Sequence, residues 1–135
     1  MTIDRAPLKR TQSQAKILVA EDHFDSRAAM SALLHALGYQ VMEATNGREA
    51  VEMATADPPD LVLMDVMMPE MDGFDATREL RNRPHTMHLP IIAVTAMHEA
   101  REIALSVGMD DYVSKPVDTR LLVRKIEEWL TRKSA

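Results

Sequence analysis

Four short apolar runs each end in a residue able to do polar chemistry. ILVA at 17–20 is followed by Glu21 and Asp22, LVLM at 61–64 by Asp65 and YVS at 112–114 by Lys115, while IIAVT at 91–95 ends on Thr95 itself. If each run is a strand of one sheet, three carboxylates, a hydroxyl and an ammonium meet at one edge. Two like charges about 4 Å apart repel by roughly 4 kcal/mol at an effective dielectric near 20, so this convergence needs positive charge to persist. Lys115 supplies one charge, and hard oxygen donors suit a divalent cation such as Mg²⁺ for the rest. The Thr95 hydroxyl can hydrogen-bond an oxygen held at the centre. Taken singly, an acid after a strand reads as a helix N-cap, Lys115 as a solvated lysine and Thr95 as packing. Taken together, and in this order, they read as an acidic metal site.

The elements that carry these residues follow from periodicity. A fifth strand is expected at QVMEA, 40–44, and helical spacing recurs at Met30, Leu33, Leu34 and Leu37, at Ala50, Val51 and Ala54, at Ala100, Ile103, Ala104 and Val107, and at Leu122, Ile126 and Trp129. A further helix runs to Arg81 with Asp72 as its N-cap. Gly38 and Gly108 fall where a left-handed residue closes a helix before the next strand. A regular β-α repeat with continuous apolar strands predicts an α/β fold, a parallel sheet covered by helices on both faces. In such sheets the site lies in the crevice at the carboxyl ends of the strands. Residues 1–15, polar and broken by Pro7, are expected to be a flexible leader; the domain spans 16–131, and 132–135 form a short tail.

Composition narrows the function. With 135 residues, 46% hydrophobic and 27% charged, the chain suits one globular domain, and the absence of Cys removes thiolate zinc sites and thiol nucleophiles. A formal charge of −5 argues against nucleic acid as a direct partner. Apolar runs of about five residues exclude a bilayer-spanning helix, and the N-terminus lacks a signal-peptide core, so the expectation is a cytoplasmic protein with no membrane contact. The chain ends at Ala135, shortly after the last helical stripe, which points to signalling by contact. His85 and His88 have metal-like spacing but lack a third ligand and sit between prolines; they read as loop residues.

The acid pair Glu21-Asp22, the segment LVLMDVMMPEMDG around Asp65, PIIAVTA around Thr95 and GMDDYVSKP around Lys115 together resemble the receiver domain of two-component response regulators. In motif style they are closest to the receivers of hybrid histidine kinases. The resemblance covers 16 to about 131. It implies a flavodoxin-like, doubly wound five-stranded sheet of order 2-1-3-4-5 that takes a phosphoryl group from a histidine kinase or histidine phosphotransfer protein onto Asp65. By the same resemblance Asp22, Asp65 and the backbone carbonyl of Met67 bind Mg²⁺ (or Mn²⁺) and Glu21 acts through a water. Lys115 and Thr95 engage the phosphoryl oxygens, Tyr112 is the switch aromatic, and the Lys115-Pro116 peptide is cis. Met67 and Met97 flank the acyl phosphate, and as apolar residues they are expected to leave it long-lived.

The output implied is a changed surface on helix four, strand five and helix five, read by a downstream protein or by the remainder of a hybrid kinase, as a monomer or a phosphorylation-dependent dimer. The chain would then be no enzyme beyond its own phosphoryl transfer and dephosphorylation. Two rivals fare poorly: an Asp-nucleophile phosphatase needs a second Asp where Met67 stands, and EDHFD is too acidic for a nucleotide-phosphate loop. A phosphorylation-independent binding module on the same fold remains the alternative.

Overall fold

The computed structural model describes residues 14–134, the side chains of 133 and 134 excepted. Five strands and five helices alternate: β1 (Lys16–Ala20), α1 (Phe24–Ala36), β2 (Gln40–Ala44), α2 (Gly47–Ala56), β3 (Leu61–Met64), α3 (Gly73–Arg81), β4 (Ile91–Thr95), α4 (Ala100–Val107), β5 (Asp111–Ser114) and α5 (Thr119–Ser134). The strands form one sheet of order β2-β1-β3-β4-β5, with every pairing parallel. This is the flavodoxin-like arrangement expected. Apart from Gln14 and Ala15, the expected leader lies outside the described residues; Ala15 is buried and its carbonyl accepts the Gln40 N–H. α5 runs through to Ser134, past the expected boundary at 131.

The two-residue period of the strands separates two cores. Leu18, Val62, Met64, Ile91 and Ala93 pack with Val51, Ala54, Ala76, Leu80 and Ala104, the faces of α2, α3 and α4. Ile17, Val19, Leu63, Ile92 and Val94 point the other way onto Leu34 of α1 and Leu122, Ile126 and Leu130 of α5. Strands β3 and β4 are buried throughout, whereas most residues of the edge strands β2 and β5 are half-buried or exposed. Two residues of the expected helical stripes face out: Leu37, 41% exposed, is the C-cap where α1 has ended, and Ile103 on α4 is 43% exposed.

Local chemistry sets the helix ends. Asn46 and Asp72 each accept a backbone N–H three residues on, from Glu49 and Asp75, at 2.7 and 2.8 Å. Gly38 and Gly108 take positive φ, 96° and 107°, closing α1 and α4. At the amino ends of β4 and β5, Arg81 donates to the carbonyl oxygens of Gly108 (2.9 Å), Met87 (3.1 Å) and Leu89 (2.7 Å) and to Asp110 Oδ2 (2.9 Å). The same Asp110 oxygen accepts the Ile91 N–H at 2.8 Å, so one guanidinium ties α3 to both strand starts.

Candidate functional site

Strand register brings the acids together. Ala20 lies opposite Met64 in the β1–β3 pair, and the Asp65 N–H donates to the Ala20 carbonyl at 3.0 Å. Glu21 and Asp65 therefore leave the sheet side by side, one residue past the last paired positions. Both are buried, at 5% and 6% exposure, where unpaired carboxylates would be costly. The cation comes from the other end of the chain: Lys115 Nζ donates to Glu21 Oε1 and, at 3.0 Å, to Asp65 Oδ2. Burial alone would lower the Lys115 pKa, but its hydrogen bonds and attraction to Glu21 and Asp65 outweigh it and hold the pKa above the usual lysine value.

Asp65 Oδ1 also accepts the Met67 N–H at 3.0 Å, and Glu21 Oε2 accepts the His23 N–H at 3.0 Å. Asp22 differs: its Oδ1 is buried and accepts no hydrogen bond, with His23 Nδ1 lying 3.5 Å off. A buried carboxylate oxygen without a hydrogen-bond donor, beside Glu21, which already shares one lysine with Asp65, fits a hard divalent cation. Among the described residues, the one group with ligand atoms close enough for an ion is Glu21, Asp22 and His23, all within 4.8 Å of one another.

Thr95 is fully buried, and its hydroxyl accepts the Met97 N–H at 3.3 Å instead of standing open at the edge. Its carbonyl accepts the Lys115 N–H at 3.0 Å, which joins the ends of β4 and β5. Tyr112, half-buried on β5, donates its hydroxyl to the Met97 carbonyl at 2.8 Å. Thr95 and Tyr112 thus hold opposite sides of one residue. The Lys115-Pro116 peptide is cis. Next to the acids, a cavity of about 350 Å³ opens between α1 and α5, with Glu21, Asp65 and Lys115 at its polar side and Met30, Leu33 and Leu122 on its apolar walls.

Two supporting residues escaped the sequence reading. Arg27 donates to the Glu21 carbonyl at 2.9 Å and to Glu43 at 3.0 Å, fastening the acidic loop from below. An arginine in the first turns of a helix, where the dipole disfavours a cation, was the available signal. Gly73 packs so tightly behind the acceptor that a Cβ there would lie 2.3 Å from the Asp65 carbonyl oxygen. The glycine at the start of a helix in MDG hinted at such an approach. His85 and His88 line a separate cleft with Asp60, at the far end of the sheet.

The model of the response regulator receiver domain family matches residues 17–127. The chain is 35% identical over 127 residues, 92% of its length, to the CAI-1 autoinducer sensor kinase/phosphatase CqsS of Vibrio cholerae, of which it spans 18%. Across other curated relatives its share of their length runs from 7% to 94%. Among solved structures it resembles the receiver domain of sensor histidine kinase PA1611 from Pseudomonas aeruginosa, described with a magnesium ion coordinated in its active-site cleft. The identity there is 37% and the TM-score 0.82, over 87% of this chain and 98% of that one. It also resembles the receiver domain of Ssk1 in the Saccharomyces cerevisiae co-crystal with the histidine phosphotransfer protein Ypd1, at 27% identity and TM-score 0.82, over 90% and 92% of the chains.

Proposed function

Because this chain belongs to the response regulator receiver domain family of two-component signalling, we propose that it accepts a phosphoryl group onto Asp65 from a phosphohistidine. One observation carries this: a single half-buried ammonium shared by the buried carboxylates of Glu21 and Asp65, with a buried Asp22 oxygen that accepts no hydrogen bond beside them. In the transfer an Asp65 carboxylate oxygen attacks phosphorus, the P–O bond forms as the P–N bond breaks, and the imidazole leaves with its electron pair and takes up a proton. The protein contributes position and charge. Lys115 releases Asp65 to follow the phosphoryl oxygens while keeping Glu21 in place. Asp22, Asp65 and the Met67 carbonyl, with Glu21 through a water, would hold Mg²⁺ or Mn²⁺. With that cation bound, the charge of the incoming group is neutralised.

The donor class, a histidine kinase or a phosphotransfer protein, is supported by the yeast Ypd1–Ssk1 pair. Output runs through Met97. If the Thr95 hydroxyl turns to the phosphoryl group, it gives up the Met97 N–H, and the residue whose carbonyl anchors Tyr112 is freed to move. The α4–β5–α5 surface then changes for a downstream protein, for the remainder of a hybrid kinase, or for a second copy. Met67 and Met97, without a polar side-chain group to orient water, favour a long-lived phosphorylated state.

Intact-mass spectrometry after exposure to acetyl phosphate, with and without Mg²⁺, tests the reading. A Mg²⁺-dependent phosphoryl adduct on the wild type and none on Asp65→Asn is the expected result. Equal labelling of both proteins would remove Asp65 as the acceptor. No adduct from either acetyl phosphate or a phosphorylated histidine donor would leave a phosphorylation-independent binding module.

A further inference from the structure

Methionine is abundant in this chain, eleven of 135 residues, yet among the described residues only Met67 and Met87 are exposed, at 56% and 44%. Met64, Met68 and Met109 are buried at 0%, 8% and 3%, and the other described methionines are half-buried. Met67 stands at the most sensitive point of the molecule. Its peptide N–H is bonded to Asp65 Oδ1 at 3.0 Å, so its side chain leaves the backbone beside the acceptor carboxylate while more than half exposed to water. Met87 lies at the other end of the sheet, where its carbonyl accepts from Arg81.

We propose that Met67 is an oxidant-responsive modification site at the mouth of the phosphoacceptor centre, and that its conversion to the sulfoxide shortens the life of phosphorylated Asp65. This rests on the phosphoacceptor reading above. The co-reactant is a peroxide: the thioether sulfur attacks one peroxide oxygen, the S–O bond forms as the O–O bond breaks, and the departing oxygen leaves as water or an alcohol after taking up a proton. Sulfur is oxidised by two electrons and the peroxide reduced by two. A thioether is a weak hydrogen-bond acceptor, whereas the sulfoxide is strongly polar. An acceptor oxygen at this position can orient a water towards phosphorus, which the native side chain cannot. The modification therefore converts a water-indifferent flank into a water-positioning one and couples signal lifetime to oxidant.

The full chain is treated with dilute hydrogen peroxide, freed of it, mapped by peptide mass, and then phosphorylated with acetyl phosphate and Mg²⁺. Intact mass follows oxidised and unoxidised molecules separately in one tube. The expectation is that Met67 oxidises ahead of Met64, Met68 and Met109, and that the oxidised species loses phosphoryl faster by roughly three- to ten-fold, the worth of one ordinary hydrogen bond. Met67→Gln, which supplies an amide oxygen, shortens the lifetime without peroxide. Met67→Leu has a lifetime that peroxide does not change, and Met87→Leu responds as the wild type does.

Met67 oxidising no faster than the buried methionines overturns the proposal. So does equal phosphoryl loss from oxidised and unoxidised molecules, or an undiminished peroxide response in Met67→Leu. Absence of any adduct on unoxidised protein sinks the phosphoacceptor reading itself, and this proposal with it; an adduct indifferent to oxidation sinks this proposal alone.

Discussion

At the amino ends of β4 and β5 one guanidinium, Arg81, meets one carboxylate, Asp110, and spends its other donors on the carbonyls of Gly108, Met87 and Leu89. At the carboxyl ends one ammonium, Lys115, faces Glu21 and Asp65 with Asp22 beside them. Both clusters are partly buried and both join elements distant in sequence. The first is balanced, and every partner is already part of the fold; it is built to stay. The second carries more negative than positive charge and keeps a buried oxygen unsatisfied. A site like that costs stability until an outside cation arrives, so its retention argues for chemistry rather than for support.

Substitutions at the two ends should therefore split stability from labelling. Asp65→Asn is expected to abolish the phosphoryl adduct while leaving urea stability unchanged or higher by up to about 1 kcal/mol, since it removes one of the competing acids. A large stability loss in that variant would break the contrast. Arg81→Ala is expected to do the reverse, costing about 2–4 kcal/mol in urea unfolding through an unpaired Asp110 and orphaned carbonyls, with labelling of the folded protein held within about two-fold. Loss of labelling at full stability would show that the two ends are not separate.

Asp22→Asn sharpens the account of the acidic end. The Mg²⁺ concentration needed for half-maximal labelling should rise by roughly ten-fold or more, and Mg²⁺ is expected to raise the melting temperature of the wild type but not of the variant. An unchanged Mg²⁺ dependence would exclude Asp22 from the cation site.

The smallest effects concern pH and use the contrast between Lys115 and a third ion pair. Burial opposes ionisation of Asp111, but hydrogen bonds from Lys125, Trp129 and the Tyr112 N–H overcome it and set its pKa below the usual value. A lowered carboxylate pKa contributes stability above its unfolded pKa, and that part is lost as pH falls through the folded value, below about pH 4. Asp111→Asn should flatten this segment of the acid unfolding curve, and an unaltered curve would refute the assignment. Lys115 runs the opposite way. Its raised pKa contributes stability below the unfolded lysine value, lost only as pH rises through the elevated one.

Much of this was legible in the residues. The apolar runs at 17–20, 61–64 and 91–95 are strands, Asp72 is an N-cap, Gly38 and Gly108 close helices, and the four motifs around Glu21-Asp22, Asp65, Thr95 and Lys115 together pointed to the family. Other features were not legible. Leu37 and Ile103 share the spacing of buried neighbours and still face water, because periodicity does not say where a helix stops or how wide its covered stripe is. Arg81 has an ordinary helical setting in sequence, and beside the Asp110 carboxylate its partners are backbone carbonyls, which any residue could provide.

Which segments are strands, which faces are apolar, and that acids, a hydroxyl and a lysine stand at strand ends can be read from the residues alone, since each of these is a local pattern of period two or 3.6 or a short motif. It takes the folded chain to bring Glu21 and Asp65 side by side, to let Lys115 bond both from 94 and 50 positions away, to make Thr95 and Tyr112 share Met97, and to leave one Asp22 oxygen without a hydrogen-bond donor. Those facts depend on strand order and register, which couple residues through the path of the whole chain, and no local period encodes that path.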